Sequence, residues 1–164
     1  MLWSNNDITT KHFPLNIVYL LNKIKKGAQK ADIMRYFIIE KYGGIYLDAD
    51  VYPINSLNPL INQLPNTECI LCHDTDLTWN YISIGFFASI PNHPLFQITC
   101  MLCDEVIINT EDIHLNSGPA LLGKALEIFV KKEELSILLL PSKYFYHNNN
   151  VIEKFGSHLY KKEW

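Results

Sequence analysis

The sequence predicts a single α/β domain, and three observations carry that expectation. Segments with apolar residues at helical spacing alternate with apolar runs of strand length. Gly27, Gly43, Pro94 and Pro119 stand where the helical segments start or stop. A hydrophobic fraction of 48% and a charged fraction of 19% over 164 residues suit one packed core, so one domain over 1–164 is expected.

Each element follows from its own pattern. The stretch PLNIVYLLNKIKK, 14–26, carries a helical apolar stripe that should stop before Gly27. AQKADIMRYFIIEKY, 28–42, repeats the pattern, and Gly43 is placed to cap it. GIYL, 44–47, is a short apolar strand, and VYPINSLNPLI, 51–61, with two prolines, reads as loop. CILCH, 69–73, and YISIGFFASI, 81–90, read as strands. The segment 91–109 reads as a helix with Pro94 in its first turn. The segment 115–132 reads as another, with Ser117 as N-cap and Pro119 just inside. ELSILLLP, 134–141, is the last strand, and the tail 143–164 is polar, aromatic and irregular.

Composition excludes several functions. A net charge of −3 and an isoelectric point near 6.0 leave no basic field for a nucleic-acid backbone. The opening MLWSNNDITTKHFP has neither a basic start nor an apolar core, so no signal peptide is expected. The longest clean apolar runs are about five residues, too short to span a membrane. The expected location is the cytoplasm, as a soluble domain with at most peripheral membrane association.

The four cysteines fall as CILC (Cys69, Cys72) and CMLC (Cys100, Cys103), a spacing that suits zinc. Their context favours buried, reduced thiols. The first pair lies in a strand, where positions three apart face opposite sides, and the second lies in a helix. A zinc-bound interaction module is the alternative.

The stretch KYGGIYLDADVYPINSL puts Asp48 and Asp50 where an apolar strand ends. In an extended chain residues two apart share a face, so the two acids, and Tyr46 with them, are expected to point together. Strand ends are where α/β sheets hold ligands. Two close carboxylates call for a cation, and a hard divalent ion, Mn²⁺ or Mg²⁺, fits oxygen donors and keeps positions open for substrate phosphates. The plainer alternative is a pair of solvated loop acids.

Context sharpens the reading. Ala31-Asp32, Arg35-Tyr36, Gly43-Gly44, Tyr46, Asp48 and Asp50 stand in one unit, KADIMRYFIIEKYGGIYLDADV. This unit resembles the D-x-D sugar-binding-region glycosyltransferases of GT-A fold, which include initiating mannosyltransferases, α-galactosyltransferases and glucosylating toxin domains. Further stretches fit in the same order: FFASIPNHPLF (86–96), SGPALLGKAL (117–126), ILLLPSKYFY (137–146) and the ending HLYKKEW. His158 and Trp164 keep the spacing of the family's closing residues, with Glu163 where serine is usual. The resemblance covers about residues 28–164.

The resemblance implies a GT-A-like, Rossmann-type mixed sheet flanked by helices. It implies transfer of a hexose from a UDP- or GDP-sugar to a glycan, lipid or protein acceptor, with retention at the anomeric carbon. By position, Asp50 is the main metal ligand, and Asp48 contacts the donor and the metal region. Asp32 and Arg35 hold donor-sugar hydroxyls, and Tyr46 reaches the donor. The tail 147–164 forms a lid over the diphosphate through His158 and Trp164, with His158 a further metal ligand. Residues 14–42 are then the helical part, and 43–52 the D-x-D strand and loop.

One departure stands out. The family's opening strand, of the type Ile-Pro-Lys-x-Ile-His-Gln-x-Trp, is missing, so the fold is expected to be N-terminally shortened. A minimal natural version, a fragment and an inactive copy would each account for that. An open sheet edge would then favour self-association into a homo-oligomer. A competing enzyme class, the D-x-D phosphatases, fits IYLDADV but not the helix before it or the SGP stretch after it.

Overall fold

A computed structural model describes residues 3–74, 82–106, 108, 110–130, 137–146 and 155–158 of the chain. In order the elements are α1 (Leu15–Lys23), α2 (Gly27–Tyr42), β1 (Gly44–Leu47), β2 (Val51–Pro53), α3 (Asn58–Ile61), α4 (Leu64–Thr67), β3 (Cys69–His73) and β4 (Ile82–Ser89). Then come α5 (Pro94–Leu102), α6 (Ile113–Asn116), α7 (Pro119–Val130), β5 (Ile137–Leu140) and β6 (Gly156–His158). The α/β class holds.

Four of the strands form a mixed sheet in the order β1-β4-β3-β5. β4 runs antiparallel to both β1 and β3, while β5 lies parallel to β3. The two central strands are buried on both faces, which is why they read as continuous apolar runs rather than as alternation. Cys69 and Leu71 of β3 and Phe87 of β4 face the core made with α1, α2, α5 and α7. Ile70, Cys72, Phe86 and Ala88 face a smaller core that holds Leu60 of α3, Phe145 and Tyr146. Phe86 stacks on Phe145 at 4.0 Å between ring centroids.

Helix α2 is the element that matters most. Ile33, Met34, Tyr36, Phe37 and Ile39 are buried along it, and so are Asp32 and Arg35. Burying charge inside a helix costs heavily unless the charges are paired. Gly43 ends the helix at φ +62, donating its N–H to the Ile39 carbonyl at 2.9 Å. A Cβ there would meet Pro91 at 2.7 Å and the Ser89 carbonyl at 2.8 Å, so only glycine lets the chain turn into β1.

Four local expectations are corrected. The first helix stops at Lys23, short of residue 26, where Ile24 turns extended. The stretch 51–61 is not plain loop: β2 pairs antiparallel with β6, and α3 follows. The irregular tail therefore contains a strand. The helix expected over 91–109 ends at Leu102, and a 3₁₀ turn at Cys103–Glu105 closes it. In the 115–132 stretch, α6 and α7 are separate helices that meet at Ser117 and Gly118.

Among the described residues β1 has one sheet neighbour, β4. None of the described helices is long and apolar enough to cross a membrane.

Candidate functional site

The site is built around one guanidinium. Asp32 and Arg35 lie one turn apart on α2, and Arg35 Nη2 meets Asp32 Oδ1 at 2.9 Å. Arg35 Nη1 reaches Asp48 Oδ1 at 3.1 Å and the Ile84 carbonyl of β4 at 2.7 Å. Its Nε donates to the Ala31 carbonyl at 3.3 Å. Thus four of the five guanidinium N–H groups have protein acceptors. Burial alone would lower the pKa of Arg35, but Tyr46, Asp32 and Asp48 around it hold it well above the usual arginine value.

Tyr46 completes the cluster. Its hydroxyl donates to Asp48 Oδ1 at 2.8 Å, and its ring lies 4.8 Å from the Arg35 guanidinium carbon. Phe87 stacks behind it at 5.1 Å, and Phe87 in turn lies 5.1 Å from Phe96 in the core. Such aromatic pairs add about 0.5–1.5 kcal/mol beyond area burial, enough to hold the Tyr46 ring in one orientation. Burial, with the Asp48 charge adding to it and Arg35 opposing, pushes the Tyr46 phenol well above its ordinary value. It stays a hydrogen-bond donor to Asp48 throughout the neutral range.

The two acids sit differently from the expectation. β1 stops at Leu47, and Asp48 extends the ladder only through its N–H to the Gly85 carbonyl at 2.9 Å. The Val51 N–H then bonds the Asp48 carbonyl at 3.0 Å, closing a turn over Asp48, Ala49 and Asp50. Strand alternation therefore does not relate the two carboxylates; a turn does. Both are half-buried. The β6 strand sets the backbone of His158 opposite Val51, beside this turn. The side chain of His158, and all of Trp164, lie outside the described residues.

Ser117 is the second correction. Its hydroxyl does not cap α7, which starts two residues later at Pro119; it donates to Asp32 Oδ2 at 3.1 Å. Three residues of the cluster were not foreseen: Ser117 in this role, and Ser83 with Tyr146. Ser83 donates to the Tyr146 hydroxyl and accepts the Gly85 N–H at 3.1 Å. Ser83 thus steadies the β4 backbone whose Gly85 carbonyl holds Asp48. The one signal for it in the sequence is a polar residue inside an apolar strand run.

The cysteines behave as buried thiols. Cys69 and Cys72 belong to the cores on opposite faces of the sheet, so they cannot share one ion. Burial raises the thiol pKa values of Cys69 and Cys100 and pushes Cys103 up to about 12. Zinc binds thiolates, so this environment opposes it.

Among the described residues no group of three or more His, Cys, Asp or Glu side chains could enclose a metal ion. The D-x-D turn supplies two carboxylates, a hard oxygen set. Mg²⁺ and Mn²⁺ bind through one or two carboxylates when waters and substrate phosphates complete the shell, so the donor set fits such an ion shared with a substrate.

A mixed sheet with helices against it, and an acidic turn closing one edge strand, define a GT-A-like domain. The family described as glycosyltransferase sugar-binding region containing DXD motif matches residues 4–67, the span from the N-terminal turn through α4. Inositol phosphoceramide mannosyltransferase 1 of Schizosaccharomyces pombe is 28% identical over 83% of this chain and 41% of its own length. An uncharacterized glycosyltransferase of Acanthamoeba polyphaga mimivirus is 27% identical over 93% of this chain and 61% of its own. Human alpha-1,4-N-acetylglucosaminyltransferase is 31% identical over 74% of this chain and 36% of its own. Over residues 4–67 the chain is thus similar to the DXD sugar-binding-region family of glycosyltransferases, and these relatives are named as glycosyltransferases. It spans between about a third and three-fifths of the length of these relatives.

Proposed function

We propose that this domain transfers a hexose from a nucleoside-diphosphate sugar to an acceptor, with retention at the anomeric carbon. The observation that carries the reading is the linked cluster that ties Asp32 and Arg35 of α2 to Tyr46 of β1 and to Asp48 of the D-x-D turn. Likeness to a family alone does not supply a working site; this cluster is what a donor sugar would meet.

In this reading Asp32 binds donor-sugar hydroxyls. Arg35 locks Asp32 and Asp48 in place and keeps one N–H for the sugar. Asp48, held by Arg35 and Tyr46, faces the ribose and the diphosphate. Asp50, with Asp48 and His158, would hold Mn²⁺ or Mg²⁺. When bound, the ion neutralises charge that develops on the departing diphosphate. The tail with His158 and Trp164 closes over the donor and excludes water, which limits hydrolysis. Arg35 and Tyr46 both donate to Asp48 Oδ1 and so tie that carboxylate to the frame of the site. The route in this reading is front-face attack, with the leaving phosphate taking the acceptor proton, as the resemblance to the family implies.

Either UDP or GDP as the carrier is compatible. The names of the relatives speak of mannose and N-acetylglucosamine, and in one case of inositol phosphoceramide as acceptor. Glycan, lipid and protein acceptors all stay within the proposal. So do a cytoplasmic location and pairing of two copies along the β1 edge.

The test is thermal stabilisation by UDP and GDP, each with and without Mn²⁺, on the native protein and on Asp50→Ala. A ligand that binds only the folded state stabilises it by about 2.7 kcal/mol at a hundredfold excess over Kd, and Tm rises accordingly. A Mn²⁺-dependent rise with one nucleotide, absent in Asp50→Ala, is expected. No rise with either nucleotide would overturn the proposal.

A further inference from the structure

We propose that Ser117 is a positioning residue for Asp32, and that through it the Ser117–Gly118 turn decides which donor sugar the domain accepts. The proposal rests on the reading of Asp32 as a ligand of donor-sugar hydroxyls.

Ser117 is fully buried and lies between α6 and α7, far from Asp32 in sequence. Its one hydroxyl proton has two acceptors within reach, Asp32 Oδ2 at 3.1 Å and the Ile113 carbonyl at 3.4 Å. The carboxylate is nearer and charged, so it takes the bond. Asp32 is then held at both oxygens, Oδ1 by Arg35 and Oδ2 by Ser117. Two contacts fix both the position and the plane of a carboxylate. Losing one of them loosens the carboxylate about χ2, a broad torsion for aspartate.

The turn itself is anchored. Tyr36 is completely buried, and its hydroxyl lies 3.0 Å from the Ser117 carbonyl and 3.1 Å from that of Gly118. Burial raises the phenol pKa, so the proton stays on and shared between the two carbonyls. Asp32 and Tyr36 are four residues apart, on one face of α2. The helix therefore grips the turn with Tyr36 and receives from it, through Ser117, the bond that aims Asp32. Phe87 backs the Tyr36 ring at 6.3 Å, which keeps the grip from swinging.

A site that hydrogen-bonds a substrate hydroxyl discriminates against a sugar lacking that hydroxyl in the same place, because its own polar groups are left unpaired. Discrimination of this kind depends on lone-pair direction. Freeing the plane of Asp32 should relax the choice between sugars that differ at one hydroxyl, while leaving the nucleotide grip alone.

The experiment is calorimetric titration, with Mn²⁺, of UDP, GDP, UDP-glucose, UDP-galactose and GDP-mannose into the native chain, Ser117→Ala, Ser117→Thr and Tyr36→Phe. In Ser117→Ala the preference between the two UDP-hexoses, or between a sugar nucleotide and its bare diphosphate, should fall about tenfold, the loss of one charge-assisted bond. Affinity for the bare diphosphate should stay within about twofold. Ser117→Thr keeps a hydroxyl and should restore the preference. Tyr36→Phe, which frees the turn at its backbone and leaves the Ser117 hydroxyl in place, should fall between them and gives an independent reading if Ser117→Ala folds poorly. Equal losses for bare diphosphate and sugar nucleotide, or an unchanged preference in both Ser117→Ala and Tyr36→Phe, would overturn the positioning role. A native chain that binds the bare diphosphate but shows no preference among sugars would also overturn it. A native chain that binds no nucleotide at all would instead bring down the donor-site reading on which it rests.

Discussion

Replacing Arg35 with methionine, which keeps the length of the side chain and removes its charge, tests how the site is held together. Arg35 joins three elements: Asp32 of its own helix, Asp48 after β1, and the Ile84 carbonyl of β4. The Asp32 and Asp48 side chains are only 7% and 15% exposed, so water can replace little of what the guanidinium supplies. Removing one partner of a buried pair costs about 3–5 kcal/mol, because the other charge is left uncompensated. For a chain of this size that corresponds to a fall in Tm of roughly 6–20 °C. Urea unfolding followed by circular dichroism measures the loss, with a constant m-value showing that the transition is the same one. Arg35→Met combined with Asp48→Asn should be less destabilised than the two single losses added, by at least about 1 kcal/mol of coupling. A loss under about 1 kcal/mol for Arg35→Met, or strict additivity in the double variant, would refute the account. Arg35 would then be an exposed-type ion pair of small worth.

Other outcomes follow from the same structure. Gly43→Ala forces a Cβ into Pro91 and the Ser89 carbonyl at a backbone conformation tolerated only by glycine. It should cost about 1–3 kcal/mol for the backbone, with a similar penalty for the clash, read as a lower urea midpoint. His93 caps α5, its Nδ1 accepting the Leu95 N–H at 3.2 Å, and burial lowers its pKa although Glu68 pulls the other way. The folded state thus prefers the neutral ring, and this stability is present above the unfolded value of about 6.5 and lost as pH falls below it. His93→Asn keeps a cap and cannot titrate, so its Tm should change less between pH 7.5 and 5 than that of the native chain; parallel curves would refute this.

Much of the framework is legible locally. Gly43 ends α2 and frees β1 because its φ is positive, and only the residue type is needed to see it. The runs at 69–73 and 82–89 announce buried strands because both faces are covered. The pairing of β2 with β6 is not legible. Val-Tyr-Pro is cut short by its proline and Gly-Ser-His carries no local strand signal, so each becomes a strand only because the other lies beside it. The acids illustrate a subtler limit. Asp48, Asp50 and Arg35 can be picked out by motif, but strand alternation fails one residue too early, at Leu47, and a turn takes over. Ser117 followed by Pro119 looks like a helix start. A buried carboxylate on another helix takes the hydroxyl instead, because a charged acceptor outbids a neutral one.

The small β2–β6 ribbon joins residues 51–53 to 156–158, about a hundred positions apart in the chain. Its consequence is one of timing. On the ribosome Asp48 and Asp50 emerge with Arg35 already made, yet the strand that flanks their turn follows only about a hundred residues later. Until then the acidic turn lacks its neighbour, and any chain stopped short of Gly156 never gains it. The order of synthesis thus leaves the D-x-D turn unflanked until the four-stranded sheet has been made, and contacts between such distant segments form slowly because the intervening loop must close first.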